Sequence, residues 1–301
     1  MAARAKRSAR VAASSGDHAS RCLLLALSHD ELGMIVDGLA DPLQPVVAVA
    51  LSSTCLGLRT PLGAALEVLK GRHTRAVALC IKVGTSCAEL RGAAELHGYN
   101  KGLTAADMAT LGMILRTNGL PKLQQLGLGG NGFHDTAMQA LFEGLGRGAA
   151  TSLYFLGLND NEFGPTGTEA LAAALHRGAM PKVEGVIISG NPIGSQGVAV
   201  LAAPLRKMTA LKELYVCENS IDDKGVASLV DNLGKDDFKA LEVLHLGCNM
   251  ITDAGVAKLL AALNAGGLPK LLVNQPFLLE DNPASAVAVG AVHDALVKHS
   301  Q

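Results

Sequence analysis

The chain has 301 residues with 26 Lys+Arg against 27 Asp+Glu. That balance argues against a general nucleic-acid or polyanion binder, which needs a basic excess. Hydrophobic residues make up 49%, yet no uninterrupted apolar run nears the roughly 18 residues of a membrane-spanning helix. The cysteines (22, 55, 80, 87, 217, 248) form no CxxC pair and no Cys/His cluster at zinc spacing. They read as reduced thiols of an intracellular protein, with no metal or cofactor expected.

Residues 1–20 are small, basic and acid-free until Asp17, the composition of a disordered tail. Organelle transit peptides share it, so a cytoplasmic or nuclear location is expected with that signal left open. Leu23–Leu27 is too short for the apolar stretch of a secretory signal. Residues 21–90 read as a helical module. One helix is expected over about Asp30–Leu39, before Asp41-Pro42, and a second over about Pro45–Leu58. A third starts with Thr60 as cap and Pro61 at its first position, and stops at Gly71. A fourth falls in 74–90.

From about residue 91 the chain repeats. Asn131, Asn161, Asn191, Asn219 and Asn249 recur at intervals of 30, 30, 28 and 30, and a period of this length marks a solenoid. Large aliphatic residues stand eight, five and three positions before each Asn, and a large apolar residue stands two after it. A small residue stands six after, and Leu or a similar residue ten and fourteen after. In Leu244-His245-Leu246 the period is two, that of a half-buried strand. From Gly255 through Leu259 to Leu263 it is four, a helical stripe. Each repeat is therefore strand, turn, helix, loop. The Asn sits where the chain leaves the strand, so its amide can satisfy the backbone of a buried turn, and successive asparagines form a ladder.

Helix caps are expected from Asp135-Thr136, Asp222-Asp223 and Thr252-Asp253. Gly- and Pro-bearing loops such as Gly178-Ala179-Met180-Pro181 separate the repeats, and Pro204 should kink or shorten its helix. Two copies are worn. In the first, Lys101 stands at the asparagine position, as expected of an end repeat. The last is in register around Asn282. About seven copies then fill 91–301, first and last degenerate.

The pattern Leu-x-x-Leu-x-Leu-x-x-Asn-x-Ile at this period resembles the leucine-rich repeats of the ribonuclease-inhibitor subtype. NOD-like receptors and Ran GTPase-activating proteins share that subtype. The resemblance covers roughly residues 93–298. It implies an α/β leucine-rich-repeat solenoid: a right-handed horseshoe with parallel strands on the concave face and helices on the convex face. The segment from Leu27-Ser28-His29-Asp30-Glu31-Leu32 to Leu51-Ser52-Ser53-Thr54-Cys55-Leu56-Gly57-Leu58 resembles an F-box. It departs from that family at Ser28, Leu56 and Leu58, where Pro, a basic residue and an aromatic are usual. The alternative is a helical cap on the first repeat. As an F-box it implies an adaptor of a ubiquitin ligase, binding a Skp1-like protein through Leu27, Leu32, Ile35 and Leu39.

Binding is expected on the strand residues that point away from the leucines, seven, six, four and two before each Asn. Gln125, Tyr154, Phe155, Asn159, Ile187, Glu213, Tyr215, Glu242 and His245 are the candidates for a protein partner. The aromatics are typical interface anchors, although cross-strand packing is an alternative role for Tyr154 and Phe155. Glu184, Glu213 and Glu242 against the single Lys212 imply a mildly basic partner, while nucleic acid and membrane are not expected. No nucleophile elbow, P-loop, HExxH or CxxC is present, and a Cys217/His245/acid site has no triad geometry to support it. The expectation is a non-catalytic interaction module. The alternative is a Ran-type activator of a small GTPase, although the chain ends in Val297-Lys298-His299-Ser300-Gln301 without that family's acidic tail.

Overall fold

The computed structural model describes Leu32, Ile35 and residues 41–54, 62–273 and 278–299. Two compact units divide at Thr74/Arg75. In the first, Leu32 and Ile35 are helical, Leu32 buried and Ile35 half-buried; Leu27 and Leu39 lie outside the described residues. Helix α1 (Val46–Thr54) follows, and then α2 (Gly63–Val83). The two helices expected in 60–90 are thus largely one. Gly71 does not stop α2, because an interior Gly costs a helix only about 1 kcal/mol. The break comes at Gly84, whose φ of 82° places it in the left-handed region. Thr60 and Pro61 lie outside the described residues.

The second unit is the repeat array. Short α3 (Cys87–Gly92) leads into six strand–helix pairs. They are β1 (Glu95–His97) and α4 (Ala105–Arg116), β2 (Gln125–Gly127) and α5 (Asp135–Phe142), β3 (Phe155–Gly157) and α6 (Pro165–His176), β4 (Gly185–Ile187) and α7 (Gly194–Arg206), β5 (Glu213–Tyr215) and α8 (Asp223–Val230), and β6 (Val243–His245) and α9 (Asp253–Asn264). A final helix, α10 (Ala286–His299), packs on α9. The strands form one parallel sheet in chain order, and each helix packs on the next. Every step keeps one register: Leu96, Leu126, Leu156, Val186, Leu214 and Leu244 stand side by side.

Sequence period explains the burial. Leu241, Leu244, Leu246, Ile251, Leu259 and Leu263 are all at most 2% exposed, so each repeat sends one set of side chains into a core shared between strands and helices. The small residue six after the Asn is required by packing. A Cβ on Gly255 would come within 2.8 Å of Ile251 Cγ2, where the helix leaves its turn.

The asparagines form the expected ladder. Asn249 Oδ1 accepts from the N–H groups of Asn219 and Ile221, both at 3.0 Å. Its Nδ2 donates to the carbonyls of Val216, Leu246 and Gly247. Asn161 does the same for Asn131, Phe133, Leu128, Leu158 and Asn159. At the worn first copy, Lys101 only donates its backbone N–H to Asn131, and β1 is the sheet edge, as an end repeat should be. Asn282 continues the ladder by bonding Ile251 and Leu246. Two rungs are incomplete: Asn191 Oδ1 and Asn219 Oδ1 are buried without a partner. Between these two asparagines the spacing shortens to 28, Pro192 follows Asn191, and Gly194 at φ 58° starts α7 one residue early.

Two expectations are corrected. Asp222 and Thr252 do cap their own helices, but Asp135, Asp223 and Asp253 bond the next repeat. Asp135 Oδ1 accepts from Gly164 and Gly167 at 2.7 and 2.8 Å, at the start of α6. Asp223 Oδ1 accepts from Thr252 and Gly255 at 2.8 and 2.9 Å, at the start of α9. Asp253 accepts from Ser285, just before α10. Each carboxylate meets the positive end of the following helix, so a cap doubles as a tie between repeats. Pro204 does not shorten α7. The helix runs two residues past it to Arg206, the same offset from the repeat Asn at which α6 and α9 end. A proline in the last turn removes one hydrogen bond at most, which the packed helices tolerate.

The uneven ladder gives a comparison. Asn249→Ala strips partners from two buried N–H groups and should lower stability by about 3 kcal/mol. Asn191→Ala, whose oxygen accepts nothing, should cost less than half of that. Urea unfolding of both variants decides, and equal losses would contradict the ladder's bonding pattern.

Candidate protein-binding face

The side chains between the core leucines occupy the other face of the sheet in straight rows. Six residues before the asparagine position stand Glu95, Gln125, Phe155, Gly185, Glu213 and Val243. Four before it stand His97, Gly127, Gly157, Ile187, Tyr215 and His245. Parallel pairing at fixed register places these residues on neighbouring strands roughly 4.8 Å apart. Ile187, Tyr215 and His245 are therefore consecutive in one row, and all three are half-buried. The Tyr215 and His245 rings meet edge to face with centroids 4.6 Å apart and planes at 84°. Tyr215 Oη donates to Glu213 Oε2 at 3.1 Å.

Phe155 takes the cross-strand role. A Cβ on its register partner Gly185 would lie 2.9 Å from the ring's Cδ2, so the ring lies over that glycine. Tyr154, 37% exposed, accepts a 2.6 Å hydrogen bond from Gln125 Nε2, which also reaches Glu95 at 3.0 Å. Several glycines counted as outward are covered: Gly129, Gly157, Gly185 and Gly247 are buried. Gly127 is the contrast. A Cβ there would meet only the Leu96 carbonyl oxygen, at 3.8 Å.

Three face residues escaped the sequence reading, because it counted from asparagines and the first copy has Lys101. Counting back from Lys101 would have found Glu95, His97 and Tyr99. His97 Nε2 lies 3.0 Å from Glu95 Oε2. Tyr99 crosses Gly129, whose Cβ would collide with its ring, and donates to Asp160 Oδ2 at 2.7 Å, two repeats away. Asn159 Nδ2 donates to the same carboxylate oxygen at 2.6 Å and to Tyr99 Oη at 3.2 Å. Asn159 is thus tied into a polar latch at one end of the sheet, while Ile187, Tyr215 and His245 occupy the other half.

The face is acidic. Glu95, Asp160, Glu184, Glu213 and Glu242 stand against Lys212, whose ammonium is 2.8 Å from Glu184. The Glu184 hydrogen bond holds the lysine above its ordinary pKa, and the charges of Glu184, Glu242 and Glu213 add to that. Burial lowers the His245 pKa despite Glu213, so its imidazole is neutral at pH 7. Burial raises the Cys217 thiol, the reverse of the shift that activates a nucleophile. Among the described residues no metal-ligating cluster occurs, and no helix is long and apolar enough to cross a membrane.

A Leucine Rich repeat family model matches residues 240–260, a span holding β6, Asn249 and the first two turns of α9. Comparison with curated proteins gives no match. The family match, together with six parallel strands alternating with helices in one register, supports a leucine-rich repeat protein. Such folds typically serve as non-catalytic scaffolds for protein–protein interaction.

Two measurements check this geometry. Gly185→Val should displace the Phe155 ring and lower stability by about 1–2 kcal/mol. Gly127→Val should stay within about 0.5 kcal/mol of the parent, because open space receives the side chain. Equal effects on the denaturant midpoint would contradict the placement of Phe155. The second measurement is pH dependence. The folded pKa of His245 lies below its unfolded value, so the unfolded chain binds the proton more readily. The stability this contributes is full above about pH 6.5 and is lost as pH falls toward the folded pKa. His245→Gln should remove that loss in the window just below pH 6.5, well separated from the carboxylate region. A pH–stability profile unchanged by the substitution would contradict it.

Proposed function

We propose that the open sheet face binds a partner protein, and that the partner's contacting surface is basic. The observation carrying this reading is the half-exposed row Ile187–Tyr215–His245, with Glu213 beside it in β5 and Glu242 just before β6. It combines a compact apolar and aromatic centre with an acidic border, the arrangement in which interface anchors are found. The neutral imidazole of His245 and the pairing of Lys212 with Glu184 leave that border net negative. In the horseshoe of the ribonuclease-inhibitor subtype this face is the concave one.

The finer part of the proposal concerns the N-terminal module, read as an F-box-like contact for a Skp1-like protein of a ubiquitin ligase. Its support is the helical placement of Leu32 and Ile35. Leu32, at 3% exposure, serves the module's interior, which leaves Ile35 as the described member that a partner can reach. Calorimetry of the full chain against a Skp1 homologue tests this part separately, and absence of heat would end it.

The sheet-face reading is tested by affinity capture with the parent and with Tyr154→Ala/Phe155→Ala/Tyr215→Ala. The parent should retain a specific partner, its binding should weaken with added salt, and the triple variant should lose at least tenfold in affinity. Capture of the same partner by the variant at parental affinity would place the interface elsewhere.

A further inference from the structure

Two thiols face each other just before the first strand. Cys80 lies in the last turn of α2 and Cys87 opens α3. Their sulfurs are 3.5 Å apart, with the Cys80 thiol donating to Cys87 Sγ. The link between them is well defined by the backbone. Gly84 N–H donates to the Ile81 carbonyl at 3.1 Å, and Thr85 N–H to the Cys80 carbonyl at 2.9 Å. Ser86 and Glu89 then close a capping box on α3. The two sulfurs are thus held together by two helix ends and their turn. A bridge requires them to approach by about 1.5 Å, to the 2.05 Å of a disulfide. Cys80 is buried and Cys87 half-buried, so a small oxidant reaches Cys87 first.

We infer that Cys80 and Cys87 form a reversible modification site, oxidised by a hydroperoxide to a disulfide that ties α2 to α3. Cys87, as its thiolate, attacks the terminal peroxide oxygen. The O–O bond breaks, the alkoxide leaves and takes up a proton as the alcohol, and Cys87 becomes a sulfenic acid. The Cys80 sulfur then attacks the Cys87 sulfur, and its proton departs with the displaced hydroxide as water. Two thiols and one hydroperoxide give one disulfide, one alcohol and one water: the sulfurs are oxidised and the peroxide is reduced. The order of events follows from position. Burial, then the contact with Cys87, pushes the Cys80 thiol up to about 12. Cys80 therefore keeps its proton and donates it to Cys87 Sγ across the 3.5 Å contact.

The bridge would form beside the contact that fastens this hairpin to the first repeat. Lys82, also in the last turn of α2, makes a 2.6 Å ion pair with the buried Asp107 in the first turn of α4. Oxidation therefore stiffens the end of the array without touching the sheet face.

The test treats the full chain with one equivalent of tert-butyl hydroperoxide, quenches it, and reads intact mass and non-reducing tryptic peptides. Trypsin cuts at Arg75, Lys82 and Arg91, so the two cysteines fall in separate peptides. The expected result is a loss of about 2 Da and a linked pair of peptides 76–82 and 83–91, reversed by dithiothreitol. Tm should rise by about 5 °C in the oxidised form. Cys80→Ser should instead accumulate a dimedone-reactive sulfenic acid at Cys87, and Cys87→Ser should leave Cys80 unreacted. The inference is overturned if both thiols of the treated parent remain alkylatable, if dimedone labels Cys87 in the parent as fast as in Cys80→Ser, or if either cysteine bridges to Cys217 or Cys248.

Discussion

The hydrogen bonding of a buried asparagine is the constraint on which the repeats depend. Each strand here is three residues long and ends in a turn packed under the next repeat. Such a turn buries N–H and C=O groups that no helix or strand can satisfy, and each would cost about 1–3 kcal/mol if left bare. A single Asn side chain supplies two donors and an acceptor at that point. Asn161 and Asn249 spend them on five partners each, some in their own turn and some in the preceding one. The bond to the neighbour sets the strand register, and the register aligns the outward side chains in rows.

A second set of ties works at the helix ends. Asp135, Asp223 and Asp253 reach forward to the start of the following helix or its lead-in, so consecutive repeats are linked on both sides of the core. The ends of the array are handled differently. The first copy replaces its Asn by Lys101, receives the Asn131 oxygen on its backbone, and gains the Lys82–Asp107 ion pair. The last keeps Asn282 and closes with α10. Between them the sheet face divides into two regions. Tyr99, Asn159 and Asp160 lock one end with hydrogen bonds, and Ile187, Tyr215 and His245 form a row at the other.

Most of the scaffold was legible in the sequence because its constraints are local and repeated. The aliphatic positions, the change of period from two to four, and the Asn each leave a mark every 28 to 30 residues. What could not be read was relational. Asp135 and Asp223 look like ordinary caps in the chain, and only the fold shows that they serve the next helix. Phe155 reads as an exposed aromatic until its register partner is known to be Gly185. Tyr99 was hidden because the mark used for counting is missing in its repeat. The merger of two expected helices into α2 reflects a weak signal, since Gly71 is a poor helix former but not a helix stop. Partner identity leaves no periodic mark, because residues between the leucines can change without disturbing the ladder.

Amide hydrogen exchange tests the ladder most directly. The N–H groups of Phe133 and Ile221 lie outside strands and helices, and both donate to an asparagine side-chain oxygen, at 3.1 and 3.0 Å. They should exchange as slowly as the strand amides beside them, and Asn249→Ala should release Ile221 while leaving Phe133 protected. Exchange of both at the rate of exposed loop amides in the parent would contradict the account.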